Sequence, residues 1–155
     1  MLRRGQAMLE TVLAVLVVTA LFLGLFGLSR LLTGKIMLEH AAMRVARARA
    51  VGLNRFQCLK AARVAVIPSA GERLLPGKDD ARTDVSETAL ARMYMRTPDS
   101  GYADGLLRYD GWGSLTVGNA RGDDLTQTRM RVAGFEVRGE AVVDDFPVYL
   151  TDGGL

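Results

Sequence analysis

The residues best suited to chemistry lie at the start of the chain. Arg3 and Arg4 form a short basic leader that ends in Gly5, and Glu10 follows five positions later at the mouth of an apolar run. A glycine lets an enzyme approach an extended backbone closely, and arginines hold such a leader at cytoplasmic headgroups. An ionised carboxylate in hydrocarbon costs about 2.5–3.5 kcal/mol, so Glu10 needs a cationic partner if it enters the membrane.

The other reactive side chains do not form a recognisable catalytic or metal-binding set. His40 has no Ser, Cys or Asp partner at a useful spacing and is interpreted as a solvated histidine. Cys58 is expected to be a small core or interface residue, with cross-linking of two copies as the alternative. Asp79, Asp123 and Asp144 lack the spacing of a calcium loop and are expected in solvated turns. We therefore expect no catalytic residue, no metal, no cofactor and no small-molecule substrate.

An uncharged segment dominates the hydropathy pattern. The chain has 155 residues, 49% of them hydrophobic, and residues 11–29 contain no charged side chain. About 20 apolar residues suffice to cross a bilayer as a helix. This segment predicts a transmembrane helix and argues against a purely soluble protein. A single cysteine and a single histidine also exclude a scaffold stapled by an intrachain disulfide or a zinc ion.

Helical periodicity continues beyond the uncharged segment. Apolar or small residues recur every three or four positions from Glu10 to Gly52, and polar residues such as Arg30, Arg44 and Arg47 occupy the opposite face. An unbroken helix over 6–52 would be about 70 Å long, so its second half leaves the bilayer or lies along it. Small residues let membrane helices pack closely, so this seam predicts contact with other helices. The alternative is a single anchor helix in which the glycines only cause a kink. The predicted helix-packing positions are Ala20, Gly24, Gly27, Gly34 and Ala41.

The rest of the chain predicts a small α+β head with a short helix and antiparallel strands. Residues 53–67 continue the first helix or form a second one ended by Pro68, and 68–83 form a loop. Asp84 and Glu87 resemble a capping box that opens a short helix, which ends before Pro98.

Strand patterns follow that short helix. They are weak over 106–109 and 114–117 and stronger over 128–143. The alternation over 128–143 changes phase at residues 133 and 134, where we expect a bulge or tight turn. Residues 146–150 are predicted as an edge strand, because Pro147 confines them to an edge.

Charge is segregated along the chain. Residues 1–63 carry ten Lys or Arg against two acidic residues, a balance of +8, and the remainder carries ten against fifteen, a balance of −5. The basic segment lacks the interleaved aromatic residues of single-strand binders, so no nucleic-acid partner is expected. Lipid phosphates, or the acidic heads of neighbouring copies, are better suited to the basic arm.

The start of the chain resembles a known family. The stretch from Arg3 to Glu10, RRGQAMLE, resembles the processing site of type IV prepilins. Together with LSRLL at 28–32, LEHAAMRVARA at 38–48 and VG at 51–52, it is similar to the TadE-like proteins of tight-adherence (Tad, or Flp) pilus systems. The resemblance covers roughly the first 52 residues, about a third of the chain.

The resemblance implies a minor pilin or pseudopilin needed for pilus biogenesis. A prepilin peptidase would cut between Gly5 and Gln6, and Glu10 would stay in the mature helix. The amine freed at Gln6 of an adjacent subunit would then offset the burial of Glu10 and fix the axial register. The implied partners are the peptidase, other pilin-like subunits, the inner-membrane pilus machinery and membrane lipid. Two features depart from relatives: many type IV pilins have Phe where Gln6 stands, and this head exceeds that of the small major Flp pilins.

The predicted organisation is a leader at 1–5, a transmembrane and amphipathic arm at 6–67, and a head at 68–155. The resemblance implies a single-pass protein of the bacterial inner membrane, with its head periplasmic or extracellular and available for incorporation into a pilus. The excess of Lys and Arg after the span predicts the opposite orientation. Two alternatives remain: an unprocessed bitopic protein whose acidic head binds a protein partner, and a secreted domain cut after Ser29 by signal peptidase.

Overall fold

The first helix is long and ends at a glycine. The structure, a computed structural model, describes the backbone of residues 2–120 and 125–142, and side chains over 8–118 and 125–142. Helix α1 is Leu2–Ala50, 49 residues, or about 73 Å at 1.5 Å per residue. Gly52 has φ +79 and donates to Arg49 O at 2.8 Å, while Leu53 N donates to Ala48 O at 3.0 Å. These two bonds form a Schellman cap, which requires the left-handed residue that glycine supplies. The predicted continuous helix is confirmed.

The two halves of α1 have different surroundings. Side chains from Met8 to Arg30 are exposed apart from the half-buried Gly27, whereas Leu38 and Val45 are fully buried. The buried stripe follows the predicted seam and lies against the head's own sheet. The polar face is exposed as predicted, at Arg30, Arg44 and Arg47, and Thr33 and His40 on the same helix are exposed as well.

Helix α2, Arg55–Ala65, confirms the second-helix alternative. Asn54 caps it: its side chain accepts from Gln57 N at 2.8 Å, and the Gln57 side chain accepts from Asn54 N at 3.3 Å. The helix ends before a short 3-10 turn, Ile67–Ser69, that contains Pro68. The region predicted as a loop includes strand β1, Arg73–Leu75, which pairs antiparallel with β2, Arg108–Tyr109. That pairing joins residues distant in sequence, so local periodicity did not reveal it.

Helix α3 is Glu87–Arg96, and its cap lies two residues later than the capping-box prediction placed it. Its N-cap is Ser86, whose hydroxyl accepts from Ala89 N at 3.3 Å. Asp84 instead closes a 3-10 turn, Ala81–Asp84, so the assignment of Asp84 as the cap was wrong. The helix ends before Pro98 as predicted.

Helix α4, Ser100–Leu106, was not predicted. Glycine is typical of turns, and this segment contains two, but Asp99 caps it as a helix by accepting from Gly101 N at 2.9 Å. The weak strand prediction over 106–109 is therefore confirmed only at its last two residues, which form β2.

A three-stranded antiparallel sheet completes the described head. Its strands are β3, Thr116–Ala120; β4, Leu125–Val132; and β5, Phe135–Val142, in the order β3-β4-β5. Ala133 and Gly134 have φ +50 and +86, and Val132 pairs with Phe135 across them. Two consecutive left-handed residues form the tight hairpin turn that matches strand twist, so the predicted phase change is a turn. The predicted strand at 146–150 lies outside the described residues.

Gly139 sets the distance between α1 and the sheet. A Cβ built on Gly139 would overlap the carbonyl group of Leu38 and the nitrogen of Glu39. Next to it, Thr128 Oγ1 donates to Leu38 O at 2.8 Å. The helix backbone therefore rests directly on the sheet at this point, because glycine leaves room for it.

The head has one aromatic core. Trp112 is 4% exposed, and its ring lies 5.2 Å from Tyr94 and 5.1 Å from Tyr109, centroid to centroid. Leu38 and Val45 of α1 belong to the same core cluster as Trp112. The second half of α1 is thus an integral part of the head's packing.

Candidate functional site

The proposed processing region lies in the first turns of α1. The backbone at Gly5 and Gln6 is helical, and Glu10 follows on the same helix with an exposed side chain. Glycine in a helix interior is less stable than alanine by about 0.5–1 kcal/mol. The helix is therefore easier to unwind at Gly5 than at its neighbours.

A wholly exposed apolar surface extends from this region. Every large apolar side chain from Met8 to Leu28 is at least 50% exposed. Helix α1 is long and apolar enough from Met8 onward to cross a membrane, and none of its most apolar stretch is buried within the chain. A core helix of a soluble protein would have that surface covered, whereas this exposed surface is suited to contact with lipid or with other helices.

The five predicted packing positions divide into two groups. Ala20 and Gly24 are exposed and Gly27 is half-buried, and a Cβ on either glycine would meet nothing within 4 Å. Gly34 and Ala41 are buried inside the chain, and a Cβ on Gly34 would come within 3.0 Å of Val132. Packing against a second subunit therefore remains a prediction that concerns the first group, since the second group already contacts the head.

Four arginines form a basic surface on the head, which we call the four-arginine surface: Arg44, Arg47, Arg92 and Arg96. The first two come from α1 and the others from α3, and together with Ala61, Val64 and Met95 they line a depression of about 680 Å³. Among the described residues, no carboxylate lies within 4.0 Å of any of the four guanidinium groups. The surface can thus receive an acidic partner.

Arg92 and Arg96 are not among the site residues predicted from the sequence. Their spacing is a signal that could have found them, because like charges at i and i+4 on a helix repel by a few tenths of a kcal/mol. Only the folded head shows that they join Arg44 and Arg47, since these pairs lie about 50 residues apart in the chain.

The other charged groups of the core serve packing. Lys60 is 2% exposed and donates from Nζ to Met95 O at 2.9 Å and to Thr97 O at 2.5 Å, at the end of α3. Its burial lowers the pKa of the ammonium group. Arg63 donates to Asp104 Oδ1 at 2.5 Å and to Tyr94 Oη at 2.9 Å.

Tyr109 donates to the Glu87 carboxylate. Burial, reinforced by that hydrogen bond, raises the pKa of Tyr109 above its ordinary value. The tyrosine is therefore held in its protonated form, which is the form that donates this hydrogen bond.

The His, Cys and Asp residues for which no catalytic or metal-binding role was predicted lie at the following positions. His40 is exposed, and Cys58 is a buried free thiol that donates from Sγ to Leu53 O at 3.6 Å. Asp79 is exposed in a turn, and Asp123 and Asp144 lie outside the described residues. Across residues 2–120 and 125–142, no group of three or more His, Cys, Asp or Glu side chains is placed to hold a metal ion.

The α+β fold and the exposed apolar surface of α1 define a membrane-anchored protein with one long helix and a small head. The family model described as TadE-like protein matches residues 5–47. The match begins at Gly5, covers Glu10 and the exposed apolar surface, and ends within the buried half of α1, so the resemblance to TadE-like proteins of Tad pilus systems is confirmed over this segment. Neither the curated proteins nor the solved structures include a match to the chain.

Proposed function

We propose that this protein is a TadE-like minor pilin or pseudopilin that a prepilin peptidase cuts after Gly5. The mature chain would begin at Gln6 and remain in the inner membrane with its head on the periplasmic or outer side, ready for incorporation into a Tad pilus. In this role it is a structural subunit and not an enzyme. The observation that carries the proposal is the exposed apolar half of α1, which has Glu10 at its start and continues without a break into the packed head.

Glu10 supports a role in register. If the cut occurs, the amine of Gln6 lies four residues before Glu10, about 6 Å along the helix axis. A neighbouring helix displaced by that distance brings its amine level with Glu10. Since an unpaired ionised carboxylate costs about 2.5–3.5 kcal/mol in hydrocarbon, this displacement is favoured over others, and the pair selects one axial register.

The head supports assembly through charge. Arg44 lies 14 residues beyond Arg30, about 21 Å along the helix, which places the four-arginine surface well beyond the headgroups that Arg30 adjoins. An acidic protein surface is therefore a better partner for it than lipid phosphate. The head supplies exposed acids at Asp79, Asp84 and Asp99, so a second copy offers a complementary surface.

Intact-mass analysis of the natural protein tests the processing step. A chain that begins at Gln6 supports the proposal, whereas one that begins at Met1 supports the unprocessed bitopic protein and one that begins at Arg30 supports a signal peptide. Gly5→Val should block the cut because a β-branched side chain obstructs the peptidase. Gly24→Val is the matched control: it alters an exposed glycine of the same helix and should leave the cut intact.

Piliation tests the role of Glu10. We expect Glu10→Ala to be processed normally but to be absent from pili, whereas Glu39→Ala, which removes an acid of the same helix outside the span, should be incorporated. Normal incorporation of Glu10→Ala would refute the pairing with the Gln6 amine.

Charge supports one alternative. Arg30, Lys35, Arg44, Arg47 and Arg49 follow the span and favour a cytoplasmic head, as the bitopic alternative allows. A periplasm-active reporter and a cytoplasm-active reporter, each fused after Leu155, separate the two: activity of the cytoplasmic reporter alone would rule out the pilin role.

A further inference from the structure

The end of the head nearest the membrane span contains a polar depression. Its volume is about 470 Å³, and we call it the basal pocket. Helix α1 contributes Ser29, Arg30 and Thr33 to its wall, and the rest of the wall comes from the segment 68–72 and from Val132 of β4. The basal pocket therefore lies between α1 and the segment that follows α2.

The basal pocket lies level with the edge of the bilayer. Arg30 is the first charged residue after the uncharged segment 11–29, so it marks the end of the hydrocarbon span. Thr33 lies three residues further, about 4.5 Å along the helix axis. The headgroup layer on each side of the hydrocarbon is about 5–8 Å thick, so the α1 wall of the basal pocket lies within that layer.

The turn of the β4–β5 hairpin points towards the same level. Gly139 rests on Leu38. Val132, at the turn end of β4, lies against Gly34, which is four residues nearer the span. The hairpin therefore approaches the membrane as it nears its turn.

Phe135 is an exposed apolar residue at this turn. It pairs with Val132, and directly opposite residues of antiparallel strands share one face of the sheet. Its side chain therefore lies beside the basal pocket, where it is 64% exposed. An aromatic ring exposed at the level of the headgroups is suited to the boundary between headgroups and acyl chains.

The basal pocket carries one charge of each sign. Within residues 8–118 and 125–142, no carboxylate lies within 4.0 Å of the Arg30 guanidinium, and no Lys or Arg side chain lies within 4.0 Å of the Glu72 carboxylate. Arg30 and Glu72 are therefore not paired with each other, and both residues are exposed. Both charges can contact a ligand in the basal pocket.

These groups match a zwitterionic lipid headgroup. A phosphate accepts hydrogen bonds from an arginine guanidinium, and the Ser29 hydroxyl can donate to another of its oxygens. Phosphatidylethanolamine joins such a phosphate by an ethylene link to a primary ammonium, which can donate to Glu72. The choline group of phosphatidylcholine has no N–H to donate, and phosphatidylglycerol has no cation for Glu72.

We propose that the basal pocket binds the headgroup of phosphatidylethanolamine, with the phosphate at Arg30, the ammonium at Glu72 and Phe135 in the adjoining headgroup layer. This contact fixes the head against the surface of its own membrane. It rests on the membrane anchorage of α1 and applies to either orientation of the head. It requires neither processing after Gly5 nor incorporation into a pilus, so its failure would leave those proposals standing.

Native mass spectrometry of the full-length protein tests the lipid preference. The delipidated protein in detergent micelles is titrated with phosphatidylethanolamine, phosphatidylcholine or phosphatidylglycerol that carry the same acyl chains. We expect one phosphatidylethanolamine to bind roughly tenfold more tightly than either of the other lipids, as for the gain of one charge-assisted hydrogen bond. Equal binding of the three lipids would overturn the assignment.

Two substitutions test the two charges separately. Glu72→Gln should remove the preference for phosphatidylethanolamine over phosphatidylcholine, because a neutral amide does not attract the ammonium. Arg30→Gln should weaken the binding of both lipids roughly tenfold, since both carry a phosphate. Lys35→Gln and Asp79→Asn, which remove exposed charges outside the basal pocket, are the matched controls and should bind as the wild type does. A preference that persists in Glu72→Gln, or that Asp79→Asn also removes, would contradict the proposed contact.

Fluorescence quenching in lipid nanodiscs tests the position of Phe135. Phospholipid with bromine near the headgroup end of its acyl chains should quench the emission that Phe135→Trp adds to that of Trp112. Val142→Trp is the matched control: Val142 is on the same strand and is 66% exposed, but it lies at the other end of β5, where Arg49 donates to Thr126 of the sheet. Quenching of Phe135→Trp no greater than that of Val142→Trp would overturn the placement of the turn in the headgroup layer.

Discussion

Gly139→Ala should separate α1 from the sheet that supports it. The added Cβ would overlap the backbone of Leu38, and backbone in the middle of a helix cannot move aside as a flexible side chain can. Either the helix retreats or β5 bends. Both responses stretch the hydrogen bond from Thr128 Oγ1 to Leu38 O, which is 2.8 Å long and buried.

The expected cost follows from these contacts. Overpacking a close-packed interface costs about 1–3 kcal/mol, and the strained hydrogen bond adds about 1 kcal/mol. Alanine recovers about 0.5–1 kcal/mol because glycine loses more chain entropy on folding. The net loss in the free energy of unfolding is about 1–3.5 kcal/mol, or roughly a 4–14 °C fall in Tm for a domain of this size.

Urea denaturation in detergent micelles measures this change. Trp112, the single tryptophan, is buried in the head and reports unfolding through its fluorescence. Gly118→Ala is the matched control, since Gly118 lies in the same sheet and a Cβ there would meet nothing within 4 Å. If Gly139→Ala unfolds within about 0.5 kcal/mol of Gly118→Ala, the range for neutral surface changes, the close helix–sheet approach does not contribute as argued.

Three other substitutions test separate features by the same fluorescence assay. Hydrogen bonds from Arg82 lower the pKa of Asp80 from 3.8 to about 2. The ionised Asp80 therefore stabilises the fold fully above pH 3.8, and this contribution is lost as the pH falls towards about 2. Asp80→Asn should therefore flatten the loss of stability between those two pH values, and an unchanged slope would count against the Arg82 pairing. Lys60→Met should lower the free energy of unfolding by about 1–3 kcal/mol, because two carbonyl oxygens at the end of α3 lose their buried donor. A variant as stable as the wild type would show that these oxygens do not need the Lys60 donor. Gly134→Ala should cost about 1–2 kcal/mol because φ is +86 there, and a smaller loss would mean that the turn adjusts.

Sequence periodicity predicted the elements whose causes are local. The seam of α1 follows from the 3.6-residue helical repeat, and the hairpin follows from a two-residue alternation that changes phase at Ala133 and Gly134. The cap of α3 was predicted at the wrong residue, because Asp84 and Ser86 are both good capping residues and lie only two positions apart. The structure selects Ser86.

Long-range contacts decided what the periodicity left open. The sequence shows that α1 has one continuous small and apolar seam, and this is enough to predict a membrane span with packing positions. It does not show that Gly34 and Ala41 are covered by the head while Ala20 and Gly24 are not, because a pattern on one helix does not identify the surface that covers it. The same reason applies to β1 with β2, to Lys60 beneath α3, and to the four-arginine surface. Each of these joins residues from distant parts of the chain, and only tertiary packing determines which of them meet.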